Sequence, residues 1–280
     1  MIKGIIKILL IVILIVILMI IYLSVIGIKT NSFNSQIKKN ILKIDNKANF
    51  VLNEVTYLLN PYNFSVKATT ENSQILIEDS ELDIKSIKTN ISLKSIINDK
   101  FSINNLQIST EEIELSDFIL LARKIHNTPQ LFILNSIIKD GSITVNIDIN
   151  FDNQGKIKKN YQVEGFVKNT RLNLLNKFNF ENLSFSFGVV ENKYSLTEID
   201  GVLNDFKIKS PLIKIKEKKG LYLINGTILN EAKKLDSKSL KPILGILLND
   251  IDIRKLEFSS TNNFSFNINK KFKLNDLKVE

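Results

Sequence analysis

Cysteine and tryptophan are absent from the chain, and histidine occurs once, at position 126. Without cysteine there is no disulfide framework, no thiolate-ligated zinc or iron–sulfur site and no thiol nucleophile. With His126 as the single imidazole, one chain cannot build a multi-histidine metal site, and a Ser-His-Asp triad would have to use that residue. No phosphate-loop, dinucleotide-binding or nucleophile-elbow glycine pattern occurs. Alanine is also scarce, at 4 of 280 residues, against 45 isoleucines and 34 asparagines. Alanine is the best helix former and isoleucine favours strands, so the composition leans to β structure, although a bias toward Lys, Asn and Ile codons gives the same figures. Hydrophobic residues make up 44% and charged residues 24%, which excludes a disordered chain. The net charge is +9, but the lysines are dispersed and most follow a long uncharged apolar run, so no nucleic-acid partner is expected.

The longest hydrophobic run is at the start. Ile8 to Ile28 carries no charge and is almost entirely Ile, Leu and Val, with Lys3 and Lys7 before it and Lys29 after it. At 1.5 Å per residue it reaches about 31 Å, the thickness of a bilayer's hydrocarbon core. A cleavable signal peptide has a shorter apolar stretch and a small-x-small cleavage site. Ser24 and Gly27 make a poor one. Residues 1–30 therefore read as an uncleaved signal anchor. The lysine count on either side does not fix its orientation, and a cytoplasmic N-terminus is expected because a long C-terminal domain crosses largely regardless of local charge. Residues 31–46 carry Ile37, Ile41, Leu42 and Ile44 at the spacing of a short amphipathic helix, or form a frayed linker.

From residue 47 to 280 the hydrophobic period is two, and no linker interrupts it. Alternation pairs Phe101 with Ile103 and then, in the other phase, Leu106 with Ile108, and it places Ile143, Val145, Ile147, Ile149 and Phe151 on one face of another strand. Phe185 with Phe187, and Phe264 with Phe266 and Ile268, repeat the pattern. Asp152 to Gly155 supplies a turn signal, so residues 142–167 are predicted to form a β-hairpin whose second strand starts at Lys156. Gly201 and Gly220 read as turns, and Gly165 and Gly226 as bulges. Helical insertions are expected near 117–138, capped at Ser116-Asp117 and restarted by Pro129, and near 237–248.

Such a sheet has one apolar face that must be covered. A closed sandwich or barrel covers it with protein. An open trough covers it with a ligand such as an acyl chain. The apolar residues named above are then the candidate groove lining, and Ile8 and Ile28 bound the anchor. No catalytic residue, metal ligand or cofactor site is expected. Glu78, Asp79, Glu81 and Asp83 read as a polar face and turn rather than as a cation site. His126, after Arg123 and Lys124, reads as a cation at a helix end. Lys214, Lys216, Lys218 and Lys219 read as gatekeeping charges on an edge strand, or as a contact for anionic headgroups. Five Asn-x-Ser/Thr sites, at Asn63, Asn90, Asn182, Asn225 and Asn263, are what chance gives at this asparagine content.

The anchor followed by "LLNPYNFSVKATTENSQILIEDSELDIKSIKTNISLKSIINDKFSINNLQISTEEIELSDFILLAR" resembles the N-terminal part of AsmA/TamB-like proteins of Gram-negative bacteria. The Leu58-Leu-Asn-Pro61 step, Ile87 to Ile97 and Ile103 to Thr110 carry the likeness, and the strands around 151–167 and 263–279 repeat it. These are spacing patterns, and members of that family are usually much longer. The resemblance implies a mainly β fold: one transmembrane helix, then an elongated, curled antiparallel sheet forming an open groove, with a few short helices. It further implies an inner-membrane, single-pass protein with a periplasmic C-terminal domain. That domain would bind phospholipid acyl chains and assist lipid transfer to, or integrity of, the outer membrane. Membrane phospholipids, and inner- or outer-membrane assembly proteins, are the implied partners. The alternative is a membrane-tethered scaffold or assembly factor with a closed β-core and no lipid binding. Neither reading requires an enzyme.

Overall fold

The computed structural model describes residues 2–32, 34–35, 48–77, 79–98, 103–125, 127–174, 177–191, 193–218, 220–235, 256–269 and 273–280. Most of the expected juxtamembrane helix, the expected helix near 237–248, and Glu78, Phe101, His126 and Lys219 lie outside these residues. The described chain is mainly β. One long apolar helix precedes fifteen strands of an antiparallel sheet that is not closed, together with a few short helices.

Helix α1 (Ile2–Val25) is about 36 Å long at 1.5 Å per residue, and its side chains are almost all exposed. It stops earlier than the apolar run does. The amides of Ile26 and Gly27 both donate to the Tyr22 carbonyl, and Gly27 turns the chain with φ 74°. A left-handed residue just past the last helical turn is what glycine tolerates without strain. Gly27 also sits against the Tyr57 backbone and the Leu58 side chain, where a Cβ would collide. Ile8 is therefore inside α1, whereas Ile28 opens strand β1 (Ile28–Thr30) instead of closing the helix.

The chain divides into two compact units. The first comprises Met1–Ile113, Asp117–Thr128 and Thr144–Val163. It contains β1, β2 (Ala48–Val51), β3 (Val55–Asn60), β4 (Ser65–Ile77), β5 (Ser80–Ser92), α2 (Leu93–Ile97), β6 (Ile103–Thr110), β7 (Ile113–Glu114), most of α3 (Leu115–Ile125) and the second half of β8 (Ile138–Asn150). The strand order is β1-β3-β4-β5-β6-β8, with β2 also on β4 and β7 on β8. Register aligns Val55, Thr70, Ile87, Ile108 and Ile147 across this sheet, and Leu106 with Ile149 beside them. Residues opposite one another share a face, so these form one apolar side. Its core is Ile75, Ile77, Leu82, Ile84 and Ile87, closed by Leu121 from α3. Phe50, Leu52, Leu106, Ile108 and Ile113 pack around that cluster. The helix expected from residue 118 starts at Leu115. Ser116 and Asp117 are therefore first-turn residues and not caps, and the Asp117 carboxylate faces the positive end of the helix dipole.

The second unit comprises Glu114–Ser116, Pro129–Ile143 and Glu164–Glu280. It contains α4 (Pro129–Ile137), the first half of β8, β9 (Gln162–Leu174), β10 (Phe178–Val190), β11 (Lys193–Leu203), β12 (Phe206–Lys218), β13 (Leu221–Leu235), β14 (Leu256–Asn269) and β15 (Leu274–Val279), hydrogen-bonded in sequence order from β8. Asp140 of β8 and Arg171 of β9 form an ion pair at 2.7 Å. Gly201 is not a turn. It lies inside β11, against the backbone and side chain of Leu183. The turn falls at Asn204-Asp205, both at positive φ, the two-residue hairpin geometry that matches strand twist.

Many strands of about 13 residues keep one apolar face only by changing phase midway. Asn72, Asn169, Asn182 and Glu198 each adopt φ between 50° and 54° inside a strand. An extra residue there shifts the alternation by one and increases local twist. In β12 the irregularity falls at Pro211, which donates no amide hydrogen. Pairing skips from Ile199–Ser210 to Thr197–Leu212, leaving Pro211 opposite the Glu198 bulge.

The expected hairpin between β8 and β9 has its turn where predicted but not its second strand. Asp152 accepts from the amides of Gln154 and Lys156 at 2.8 and 2.9 Å, and β9 begins at Gln162, not Lys156. Those two amide donors hold the Asp152 carboxyl below the usual carboxylate range. A depressed folded-state pKa gives stability that is present above the unfolded value and lost as pH falls through the folded one. The protection of the Gln154 and Lys156 amides, their exchange rate relative to that of free amides at the same pH, is therefore expected to fall as the pH drops below the ordinary carboxylate range, and Asp152→Ala should show the lower protection already at neutral pH. For the core, Leu121→Ala is expected to cost about 2–5 kcal/mol in urea unfolding, since Leu121 is 5% exposed. An unchanged midpoint would mean that α3 does not seal this face.

Candidate functional site: an apolar face across β10–β15

The second unit's strands carry their apolar residues in register. One row runs Phe187, Leu196, Ile213, Gly226, Phe264, Val279, each opposite the next across β10 to β15. A second runs Val189, Tyr194, Ile215, Ile224, Phe266. Tyr222 opposite Ile268 extends the face toward one strand end. With strands about 4.8 Å apart, six strands give a row about 24 Å long. The Phe264 and Phe266 rings stack with centroids 5.8 Å apart.

Gly226 is the gap in the first row. A Cβ there would meet Ile213 Cγ1 and the Leu212 carbonyl at 2.9 Å, and Phe264 Cζ at 3.1 Å. The Phe264 ring therefore lies over a bare backbone and fills the place a side chain would take. Glycine inside a strand marks such a close approach, and an aromatic neighbour offsets its lost packing. The expected bulge at Gly226 is thus a covered gap: Ile213–Gly226 is a regular pair, and the β12–β13 register shift lies beside it, between Lys209 and Ile213.

The opposite face is wet. Ser195, Lys214, Asn225, Ser265 and Lys278 oppose one another, as do Lys193 and Lys216. Glu231 pairs with Lys207 at 3.1 Å and with Lys209 at 2.5 Å. These partners push the Glu231 carboxyl down and the Lys209 ammonium up from their ordinary values. The β12 lysines do not guard a sheet edge, because β11 and β13 pair with β12 on either side. They are the polar half of an interior strand.

Burial separates the two units. In Phe206–Lys218, 221–231, 259–269 and Leu274–Val279, the hydrophobic side chains are half-buried or exposed, and none is buried. Among the described residues, the substantial contacts of β11 to β15 are with their own sheet neighbours. In the first unit the comparable face is closed by α3.

The sequence candidates fall into three groups. Ile143, Val145 and Phe151 are buried by the protein itself. Ile103, Leu106, Ile108, Ile147 and Ile149 are half-buried on the first unit's face, where Leu106 and Ile108 pack on the core cluster. Phe187, Phe264, Phe266 and Ile268 lie in the second unit's rows, and half-buried Phe185 lies opposite the bulge at Glu198-Ile199. Sequence reading missed Tyr194, Ile224 and Gly226 as members of these rows. The alternation was visible in each strand, but the register that joins the strands was not.

The acidic segment contributes a polar strand face, with Asp83 accepting from Gln74 Nε2 at 3.1 Å. A separate cleft of about 490 Å³ in the first unit is lined by Lys29, Asn53, Glu54, Thr56, Thr69 and Glu71, among others. Its polar walls suit no hydrocarbon. No family model, curated protein or solved structure matches the chain.

Gly226→Ala is expected to lift the Phe264 ring from its seat and destabilise the protein by about 1–3 kcal/mol, the usual cost of overpacking. Urea unfolding measures this. Phe264→Leu in the same background should recover part of the loss if the ring is the obstacle.

Proposed function

We propose that this is a membrane-anchored β-sheet protein that binds lipid acyl chains on the apolar face of β10–β15. The observation that carries the reading is that two apolar rows span up to six strands without one fully buried member. Each methylene laid on such a face gains about 0.8 kcal/mol. A row about 24 Å long exceeds the roughly 15 Å depth of one leaflet's hydrocarbon, so a whole chain fits along it. The lysines of the opposite face keep the other side of the sheet in water. The helix α1, long and apolar enough to span a bilayer, holds the sheet beside its lipid source. No covalent step is needed.

Following the AsmA/TamB-like resemblance, we place the sheet in the periplasm of a Gram-negative cell. There it assists phospholipid transfer to, or integrity of, the outer membrane, with membrane assembly proteins as its further partners.

The test is lipid extraction of the purified full chain, combined with photo-crosslinking from Ile213 and Phe266. Copurifying phospholipid, and acyl adducts at both positions, are expected. Ile224→Asp should reduce the bound lipid several-fold while leaving the strand content unchanged. Protein that carries no phospholipid, and that yields no adducts when supplied with a photoreactive fatty acid, is instead a scaffold.

A further inference from the structure

The end of the first unit's sheet that α1 enters carries a group of exposed apolar side chains on separate elements. Tyr62 and Phe64, on the turn joining β3 to β4, are 98% and 52% exposed. Ile96 and Ile97 of α2 are 53% and 73% exposed. The turn and the helix are neighbours, because Ser65 pairs with Ser92 and the Leu93 amide donates to the Phe64 carbonyl at 3.1 Å. Ile157, exposed in the loop after β8, lies at the same end: Asn150 pairs with Asn105 near the start of β6, and the Phe151 amide donates to the Asn104 carbonyl.

Strand directions fix where this end lies. Strand β1 leaves α1, and β3 runs antiparallel to it, back toward the helix. Ile28 is opposite Tyr57, so Asn60 lies three residues, about 10 Å, further in the direction of α1. Leu58 touches Gly27 at the helix end, and Leu23 and Ser24 are the only half-buried residues between Gly4 and Val25. The Pro61–Phe64 turn thus lies at the end of the sheet nearest α1, which contacts β3.

The exposed lysines at this end include Lys67 near the start of β4, Lys94 on α2, and Lys156, Lys158 and Lys159 in the loop after β8, where the Asp152 carboxylate lies among them. The far end, at the β4–β5 turn and beyond β6, carries Asp79, Glu81, Asp83 and Glu111. One tyrosine, one phenylalanine and three isoleucines are exposed together at this end, on three separate elements. Aromatic and aliphatic tips ringed by lysine match a bilayer interface with anionic lipid.

We infer that this end of the sheet inserts into the bilayer interface beside α1, making a second membrane contact through Tyr62, Phe64, Ile96 and Ile97. The anchor then holds the sheet at a set depth and tilt instead of as a tethered body. The inference rests on α1 spanning the membrane, which the experiment checks separately.

Because the chain has no tryptophan, single-tryptophan variants report one position each. The full chain carrying Leu14→Trp, Phe64→Trp, Ile97→Trp or Glu111→Trp is reconstituted in vesicles of phosphatidylcholine and phosphatidylglycerol with brominated acyl chains. Circular dichroism confirms unchanged strand content. We expect blue-shifted, bromine-quenched emission at positions 14, 64 and 97, and red, unquenched emission at 111. Quenching at 14, with 64 and 97 behaving like 111, overturns the interfacial contact and leaves the anchor standing. Absence of quenching at 14 overturns the anchor and this inference with it.

Discussion

The structure depends on how a one-sided apolar sheet is kept from water. The hydrophobic effect scales with area and has no direction, so any apolar cover stabilises such a face. In the first unit the cover is protein. Leu121 of α3 closes over Ile75, Ile77, Leu82, Ile84 and Ile87. In the second unit the rows through Ile213 and Ile215 are lined just as continuously, yet their members stay half-buried or, at Val279, exposed. Side chains within one sheet shield each other's flanks but not their tips. The two units apply the same strand grammar and differ in what meets the tips.

That grammar was legible in the sequence where the phase of alternation stays constant. Ile143 through Phe151, and Phe264 through Ile268, were assigned to single faces because each run is unbroken. Alternation was misleading where a bulge intervenes. Gly201 looked like a turn because glycine followed aspartate, whereas the positive φ angles of Asn204 and Asp205 form the turn. Residues 156–161 alternate well enough to suggest a strand. The Asp152 carboxylate gathers the amides of Gln154 and Lys156, and Ile157 bridges back to Phe151, but this pairing is one bridge long and strand β9 starts only at Gln162.

The helix end illustrates a different limit. Hydropathy shows where apolar residues stop, at Ile28, but not where helical geometry stops. Gly27 ends the helix because its left-handed φ and missing Cβ allow the backbone to fold against Tyr57 and Leu58. The consequence is mechanical. With β1 starting at Ile28 and paired at once with β3, no flexible segment separates the helix from the sheet. Orientation set in α1 is passed directly to the first strands, which is why side chains as distant in sequence as Tyr62 and Ile97 acquire a defined position relative to that helix.

A surface of this kind leaves little trace in any single residue. Catalytic sites need particular groups at particular distances, and those produce short motifs. An apolar sheet face needs only that strands present their apolar sides in common register, and many residue combinations satisfy that. Gly226 is the exception. At that position the row requires a specific pair, a residue without a Cβ beneath an aromatic ring, because any side chain would strike Ile213 and the Leu212 carbonyl. The information defining the face therefore lies in pairings such as Ile213–Gly226–Phe264, which span about fifty residues of sequence. Period-two reading recovers the members strand by strand, but the pairing is a property of the folded sheet.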